Sequence, residues 1–156
     1  MSDDDSAFCT ITDTIELKVE NAIRASGRRK VFVYYSAYPT DKDDNPIDNL
    51  DKIAIQGKAI LLAARDDFYG GKRSKNYRSP VVENPTWLQI AVLANDMIRT
   101  VRDSHHCFLE NVEKLAMTSR ETLAFLKSFG EHFHDEIREA VSRDPDLQLY
   151  EFVMGS

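Results

Sequence analysis

The chain of 156 residues is poor in the features that define disulfide-stapled and membrane-spanning proteins. Its two cysteines do not make a disulfide framework, and a chain of this length can bury a sufficient core without one. The longest strongly apolar run is AILLAA at residues 59–64, far shorter than the roughly 20 residues that cross a bilayer. The first residues, MSDDDSAF, are acidic where a secretory signal is basic. We therefore expect a soluble, cytoplasmic protein with reduced cysteines.

Positive charge is outnumbered, with 20 lysines and arginines against 26 aspartates and glutamates and a formal net charge of -6. This balance argues against a surface that attracts nucleic acid or anionic membrane as a whole, although a local basic patch can still bind either. The sequence also lacks a glycine-rich phosphate or dinucleotide loop, a CxxC pair and a nucleophilic-serine motif. Classical nucleotide hydrolysis is therefore disfavoured.

Apolar spacing predicts four helices, in each of which apolar residues recur at intervals of three and four. Asn-Pro pairs at 45–46 and 84–85 are typical helix starts, and residues 118–121 have a capping-box pattern. Gly57, inside the second predicted helix, suggests the close approach of another element. The predicted helices cover residues 12–27, 46–69, 85–101 and 118–142.

Three further segments are predicted as strands, namely RRKVFVYYSAY at 28–38, HHCFLENVEKL at 105–115 and LQLYEFVM at 147–154. The first has no polar alternation, which predicts a strand in the middle of a sheet, and a helix is the alternative for the second. The fold class is therefore α+β, with a small sheet of about three strands packed against four helices. We expect a disordered acidic terminus at 1–11 and one domain at 12–156.

All four histidines lie in two close pairs, His105 with His106 and His132 with His134. On a helix, His132 and His134 are about 200° apart around the axis, so they cannot chelate one ion together. Adjacent residues on a strand point to opposite faces, so His105 and His106 also offer one ligand between them. We expect His132 and His134 to be solvated at a helix boundary, each near a charged residue four positions further on.

One histidine from each pair could still hold a divalent metal ion and support a metal-dependent hydrolase. The candidate ligands are His105, His106, His134 and Asp135, and the candidate general bases are Glu110 and Glu131. Cys107 lies in an apolar segment, where a buried cysteine acts as a small hydrophobic residue rather than as a nucleophile.

One basic segment, GGKRSKNYRSP at 70–80, breaks the acidic background and is predicted to be a long exposed loop. Its cations and aromatic rings are the parts of a surface that binds single-stranded nucleic acid. Contact with a protein, such as the acidic loop at 41–44 of a second copy, and simple solvation are the alternatives. The candidate binding residues are Tyr69, Lys72, Arg73, Lys75, Tyr77 and Arg78.

These patterns favour a non-catalytic interaction or assembly protein without a cofactor. In this hypothesis the protein self-associates and binds a protein partner through the 70–80 loop, because long polar loops often carry function and short sheets leave edges to be covered. Two alternatives stay open: the metal-dependent hydrolase, and phosphate or RNA binding by the same loop.

Overall fold

The computed structural model describes residues 15–35, 49–63, 76–101 and 107–155. Within these ranges the chain forms a single α+β unit, in which a mixed sheet has helices packed on both faces. The helices are α1, described over residues 15–25, α2 (Trp87–Val101), α3 (Arg120–Lys127) and α4 (Glu131–Arg143). The strands are β1 (Tyr34–Tyr35), β2 (Lys58–Leu62), β3 (Val82–Glu83), β4 (Phe108–Leu115) and β5 (Gln148–Gly155).

The described part of the sheet has five strands in the order β1-β4-β5-β2-β3, rather than the expected three. Only β2, β4 and β5 are longer than two residues. Strand β4 pairs antiparallel with β5, whereas β2 runs parallel to β5 and β1 runs parallel to β4. The two short strands, β1 and β3, form the edges.

Strand β2 is buried on both faces of the sheet, because its alternate side chains enter different cores. Ala59 and Leu61 pack in the core under α1 and α2, and Ile60 and Leu62 pack in the core under α3 and α4. Each fully buried leucine or isoleucine contributes roughly 1.5–3 kcal/mol relative to an exposed one. The two-sided burial therefore makes β2 the strand that joins the two helical layers.

A register shift in β4, between Leu109 and Asn111, lets this strand serve both cores. Leu109 and Val112 are three positions apart, yet both pack against the α1–α2 core, while Leu115 packs in the α3–α4 core. An extra residue in one strand reverses the alternation of side chains beyond it, which explains the spacing of three. The bulge also marks the end of β4 that lies next to β1.

The prediction of one helix over 46–69 is wrong, because residues 58–62 form β2. A short run of buried apolar residues fits either a helix or a central strand, and periodicity alone does not separate them. Gly57 has a φ of 92°, a left-handed conformation that a continuous helix cannot contain, and β2 begins at the next residue. The Gln148 side chain crosses over it, with Nε2 donating to Gln56 O at 2.7 Å.

The prediction of a central strand at 28–38 is also wrong in position. Only Tyr34 and Tyr35 are paired within the described part of this segment, and β1 lies at the edge of the sheet. Residues 31–33 pack against the α1–α2 core without forming strand hydrogen bonds. Their apolar character therefore reflects contact with helices rather than burial between two strands.

The remaining elements agree with expectation in part. Helix α2 follows the Asn84-Pro85 signal, although Thr86 rather than Asn84 forms the cap, through a reciprocal pair of hydrogen bonds with Gln89. Residues 108–115 and 148–155 are strands, so the helix alternative for the former is wrong. The single helix expected at 118–142 is two, α3 and α4, because Gly130 adopts a φ of 108° between them.

None of the helices in the described ranges is both long and apolar enough to cross a membrane.

Candidate functional site

Helix α1 ends in a Schellman motif that directs the following basic residues towards α2. Gly27 has a φ of 92°, its N–H donates to Arg24 O at 3.1 Å, and Arg28 N–H donates to Ile23 O at 3.4 Å. This is the pairing expected when a glycine reverses the chain at the end of a helix. The sequence RRK at 28–30 therefore leaves α1 at a fixed angle instead of continuing along it.

Asn95 on α2 fixes the backbone of this segment. Its side chain is fully buried, its Oδ1 accepts from Phe32 N–H at 2.5 Å, and its Nδ2 donates to Lys30 O at 3.1 Å. A buried amide is stable only when such bonds are made, and here both ends of the amide are satisfied. Because Asn95 forms hydrogen bonds to the backbone of residues 30 and 32, the chain between them is held against α2. The Arg29 and Lys30 side chains stay exposed.

An ion pair between Arg28 and Asp96 makes a second attachment. Nε of Arg28 donates to Oδ1 of Asp96 at 2.9 Å and Nη2 donates to Oδ2 at 2.5 Å, a bidentate arrangement. The hydrogen bond and the charge of Asp96 raise the pKa of Arg28, so this guanidinium stays charged. With Asp96 occupied by Arg28, the carboxylate is not available to neutralise the neighbouring cations.

These attachments frame an open cavity of about 590 Å³, which we call the basic cleft. Its described lining comprises residues 26–30, Phe32, Asn95 and Arg99, none of which is an aspartate or a glutamate. Three of the cations that face the cleft, Arg29, Lys30 and Arg99, form no ion pair with any described residue. Like charges gathered in this way attract anions even on a protein whose net charge is negative.

A smaller cavity of about 370 Å³, the aromatic groove, shares Arg29, Lys30 and Phe32 with the basic cleft. It continues past Arg24 and Val31 to Tyr34 on β1. Arg24 is held in place by Glu20 at 3.2 Å and by donation from Nη1 to Arg29 O at 3.3 Å. The two cavities therefore make one continuous surface from the end of α2 to the edge of the sheet.

The predicted basic loop lies largely outside the described residues, including Tyr69, Lys72, Arg73 and Lys75. Its described end, 76–80, runs beside β2, with Ser79 N–H donating to Leu61 O and Ala63 N–H donating to Tyr77 O. Arg78 is exposed, but Tyr77 packs against the α1–α2 core with its ring centroid 6.2 Å from that of Phe152. Over this part the segment extends the sheet, so Tyr77 is no stacking platform.

Burial raises the pKa of Tyr77, and the negative charge of Asp96 raises it further, while Arg28 opposes the change. The two charges of the Arg28–Asp96 ion pair therefore act on the pKa of this phenol in opposite directions. The Tyr77 side chain therefore lies near the Arg28–Asp96 ion pair that borders the basic cleft.

The second histidine pair agrees only in part with expectation. His132 is exposed and its Nε2 lies 3.1 Å from Oε1 of Glu136, four positions further on, as expected. The expectation that His134 is solvated near Arg138 is wrong, because His134 is buried and its Nδ1 lies 3.4 Å from Oδ1 of the exposed Asp135. The two side chains do lie on different sides of α4, as the helical angle requires.

Within the described ranges, no three histidine, cysteine, aspartate or glutamate side chains come together in a way that could hold a metal ion. The candidate bases are apart in the fold, with Glu110 at the β4 bulge and Glu131 exposed at the start of α4. His105 and His106 lie outside the described residues, so the metal-hydrolase hypothesis stays a prediction. Cys107 is half-buried just before β4, where its carbonyl oxygen accepts from Tyr34 N–H at 2.9 Å.

The basic cleft was not predicted from the sequence, because the apolar residues of the 28–38 segment indicated a buried strand. The signal was present: three consecutive cations follow a helix-ending glycine and precede aromatic residues. Arg99, however, is 69 positions from Lys30, and only the packing of α1 against α2 brings it to the same cavity. No spacing rule links those positions.

Comparison with known proteins gives one partial similarity. Over 77 residues the chain is 34% identical to the threonine–tRNA ligase of Vesicomyosocius okutanii subsp. Calyptogena okutanii (strain HA). This alignment covers 46% of the chain but only 12% of the ligase, so the chain spans a small fraction of that relative's length. No protein-family model and no solved structure matches the chain.

Proposed function

We propose that the protein binds a polyanionic ligand, with RNA as the leading example, through the basic cleft. The observation that carries this proposal is that Arg29, Lys30 and Arg99 line one cavity and form no ion pair with a described residue, and that none of the described lining residues is acidic. Phosphate groups are the anions that such clusters bind most often, and the contacts are electrostatic and salt-sensitive. The expected cytoplasmic location would give the cleft access to RNA.

The rigidity of the cleft supports the same function. The hydrogen bonds of Asn95 and the ion pair of Asp96 hold the 28–32 backbone before any ligand arrives. A site that is already ordered loses less conformational entropy on binding, so weak individual contacts yield more affinity. The similarity to a ligase that by its name acts on tRNA supports the choice of RNA over other polyanions.

The earlier hypothesis of a protein contact through the 70–80 segment remains a second proposal. Of its described candidate residues, Arg78 is exposed and available, whereas Tyr77 is packed in the core. The cleft therefore has more support, because all the residues on which it depends are described.

The proposal is tested by fluorescence anisotropy with a labelled single-stranded RNA of 12 nucleotides and, separately, by competition with inorganic polyphosphate. If about three phosphates are neutralised, the affinity for RNA falls by about 20-fold between 50 and 200 mM salt. The triple variant Arg29→Ala, Lys30→Ala, Arg99→Ala should lose most of this affinity for both polyanions.

A matched control separates the cleft from general charge. The triple variant Lys114→Ala, Lys127→Ala, Arg138→Ala removes the same charge from exposed positions on β4, α3 and α4. It should retain binding within about twofold, because charges outside the binding surface are screened at moderate salt. Equal losses in the two triple variants, or no binding of either polyanion by the unmodified chain, would overturn the proposal.

A further inference from the structure

The aromatic groove ends at a pair of exposed rings that the folded core does not use. Tyr34 on β1 is 48% exposed and Phe108 on β4 is 37% exposed. The two residues are directly paired in the parallel register of these strands, and their ring centroids are 5.4 Å apart with an interplanar angle of 31°. Two large rings left together in water cost hydrophobic free energy that covering them would recover.

The strand geometry explains why these rings are outside the core. Val33 and Leu109 are buried in the α1–α2 core, and because side chains alternate along a strand, the adjacent Tyr34 and Phe108 side chains do not enter that core. Because β1 is only two residues long and lies at the edge, Tyr34 can also border the groove between the edge and α1. The ring pair is thus fixed by backbone pairing and stays partly exposed.

Charge and aromatic surface meet at this edge. Tyr34 lines the groove together with Arg29 and Lys30, and these two cations also line the basic cleft. A cationic track that continues onto exposed aromatic rings has the chemistry that single-stranded nucleic acids require, since the track pairs with the phosphates and the rings stack on unpaired bases. A duplex hides the faces of its bases and would leave the rings uncovered.

We infer that the ligand of the basic cleft is a single-stranded nucleic acid, one base of which stacks on the Tyr34–Phe108 pair while its phosphates contact Arg29, Lys30 and Arg99. This inference rests on the proposed function, because it needs the cleft to bind a polyanion. It adds the class of that polyanion and two residues that select it. Phe108 was not among the candidate binding residues predicted from the sequence.

The test measures the affinity of the full chain for a labelled 12-nucleotide oligouridine, for a 12-base-pair RNA duplex and for inorganic polyphosphate. Stacking predicts that Tyr34→Ala and Phe108→Ala each weaken oligouridine binding about 10-fold or more and leave polyphosphate binding unchanged. Tyr34→Phe, which keeps the ring, should bind oligouridine as the unmodified chain does. The duplex should bind more weakly than the single strand.

Val81→Ala is the matched control, because Val81 is an exposed apolar residue, 54% accessible, just before the opposite edge strand. It should not change any of the three affinities. If Tyr34→Ala does not fold, as checked by circular dichroism, Tyr34→Leu keeps an apolar side chain without a ring and is used instead. As a second measurement, an oligonucleotide containing 2-aminopurine should lose fluorescence on binding the unmodified chain but not the ring-deleted variant.

The outcomes separate the two proposals. Binding of both polyanions that depends on the cleft triple variant but not on Tyr34 or Phe108 would overturn the stacking inference and leave the proposed function standing. Equal affinity for duplex and single strand would overturn the inference in the same way. Absence of binding to all three ligands would overturn both.

Discussion

The two faces of the sheet bury polar side chains in different ways. On the α1–α2 face, Asn95 is completely buried and both ends of its amide are bonded to the chain that forms the basic cleft. On the α3–α4 side, His134 is buried too, but its Nε2 has no hydrogen-bond partner among the described residues. On the first face the buried amide therefore fixes the backbone that frames the basic cleft, whereas on the second the described residues leave one buried imidazole nitrogen without a hydrogen bond.

The largest expected effect that tests this comparison is the loss of Asn95. Asn95→Ala leaves Phe32 N–H and Lys30 O without their partners, and we expect the free energy of unfolding to fall by about 2–4 kcal/mol. Asn111→Ala on β4 is the control, because Asn111 is half-buried and its described side-chain bond is to the N–H of the adjacent Val112. Urea denaturation of the two variants measures the difference, and equal losses would contradict the special role of Asn95.

Glycines with positive φ give a second, smaller test, one on each side of the sheet. Gly27 (φ 92°) ends α1 before the cleft and Gly130 (φ 108°) separates α3 from α4, and neither has another group within 4 Å of the place where a Cβ would lie. Replacing either glycine by alanine should therefore lower the free energy of unfolding by about 1–3 kcal/mol through backbone strain alone.

Binding distinguishes the two glycines where stability does not. Gly27→Ala changes the direction in which residues 28–30 leave α1 and should weaken polyanion binding, whereas Gly130→Ala should not. Anisotropy with labelled RNA on variants that remain folded measures this effect. Equal affinities would show that the Schellman turn does not set the geometry of the cleft.

The pH dependence of stability gives a further test, in which Tyr77 is the buried group that titrates. Burial raises the pKa of its phenol in the folded protein above the ordinary value of about 10, so the stability that it contributes is complete below that pH. As the pH rises further, the unfolded chain loses the proton while the folded chain keeps it, and the free energy of unfolding falls. Tyr77→Phe should make this alkaline fall shallower in urea denaturation series between pH 8 and 11.

Tyr150 provides the internal comparison for that series. Burial raises its pKa as well, but less than that of Tyr77, so Tyr150→Phe should reduce the alkaline fall to a smaller extent. A variant Tyr77→Phe with the same pH profile as the unmodified chain would contradict the burial of the phenol beside the Arg28–Asp96 pair.

The smallest expected effect is at His134. Leucine has a similar volume and no polar atom, so His134→Leu should change the free energy of unfolding by less than about 1 kcal/mol or increase it, because it removes a buried nitrogen that has no hydrogen-bond partner among the described residues. His132→Leu, at a position 92% exposed, controls for the change of residue type on the same helix. A loss well above 2 kcal/mol in His134→Leu would instead reveal a stabilising partner for His134.

Much of the fold was predictable because local physics decides it. Helix α2, strand β5 and the end of α1 at Gly27 follow from apolar periodicity and from capping residues that act within one turn. The predictions are wrong where one local pattern is compatible with two kinds of secondary structure. The run of buried apolar residues in β2 fits a helix as well as a strand, and residues 31–33 are apolar because they touch helices.

The sequence by itself determined the α+β class, the acidic net charge and the approximate positions of α2, β4 and β5, since composition, periodicity and caps are properties of neighbouring residues. Only the tertiary structure decided which cations act together, because Arg99 joins Arg29 and Lys30 through the packing of α1 on α2. It also decided that Arg28 is neutralised, because folding brings Asp96 into an ion pair with it. The net charge is a sum over single residues and follows from the sequence. A binding site depends on distances between residues that the chain brings together only when it folds.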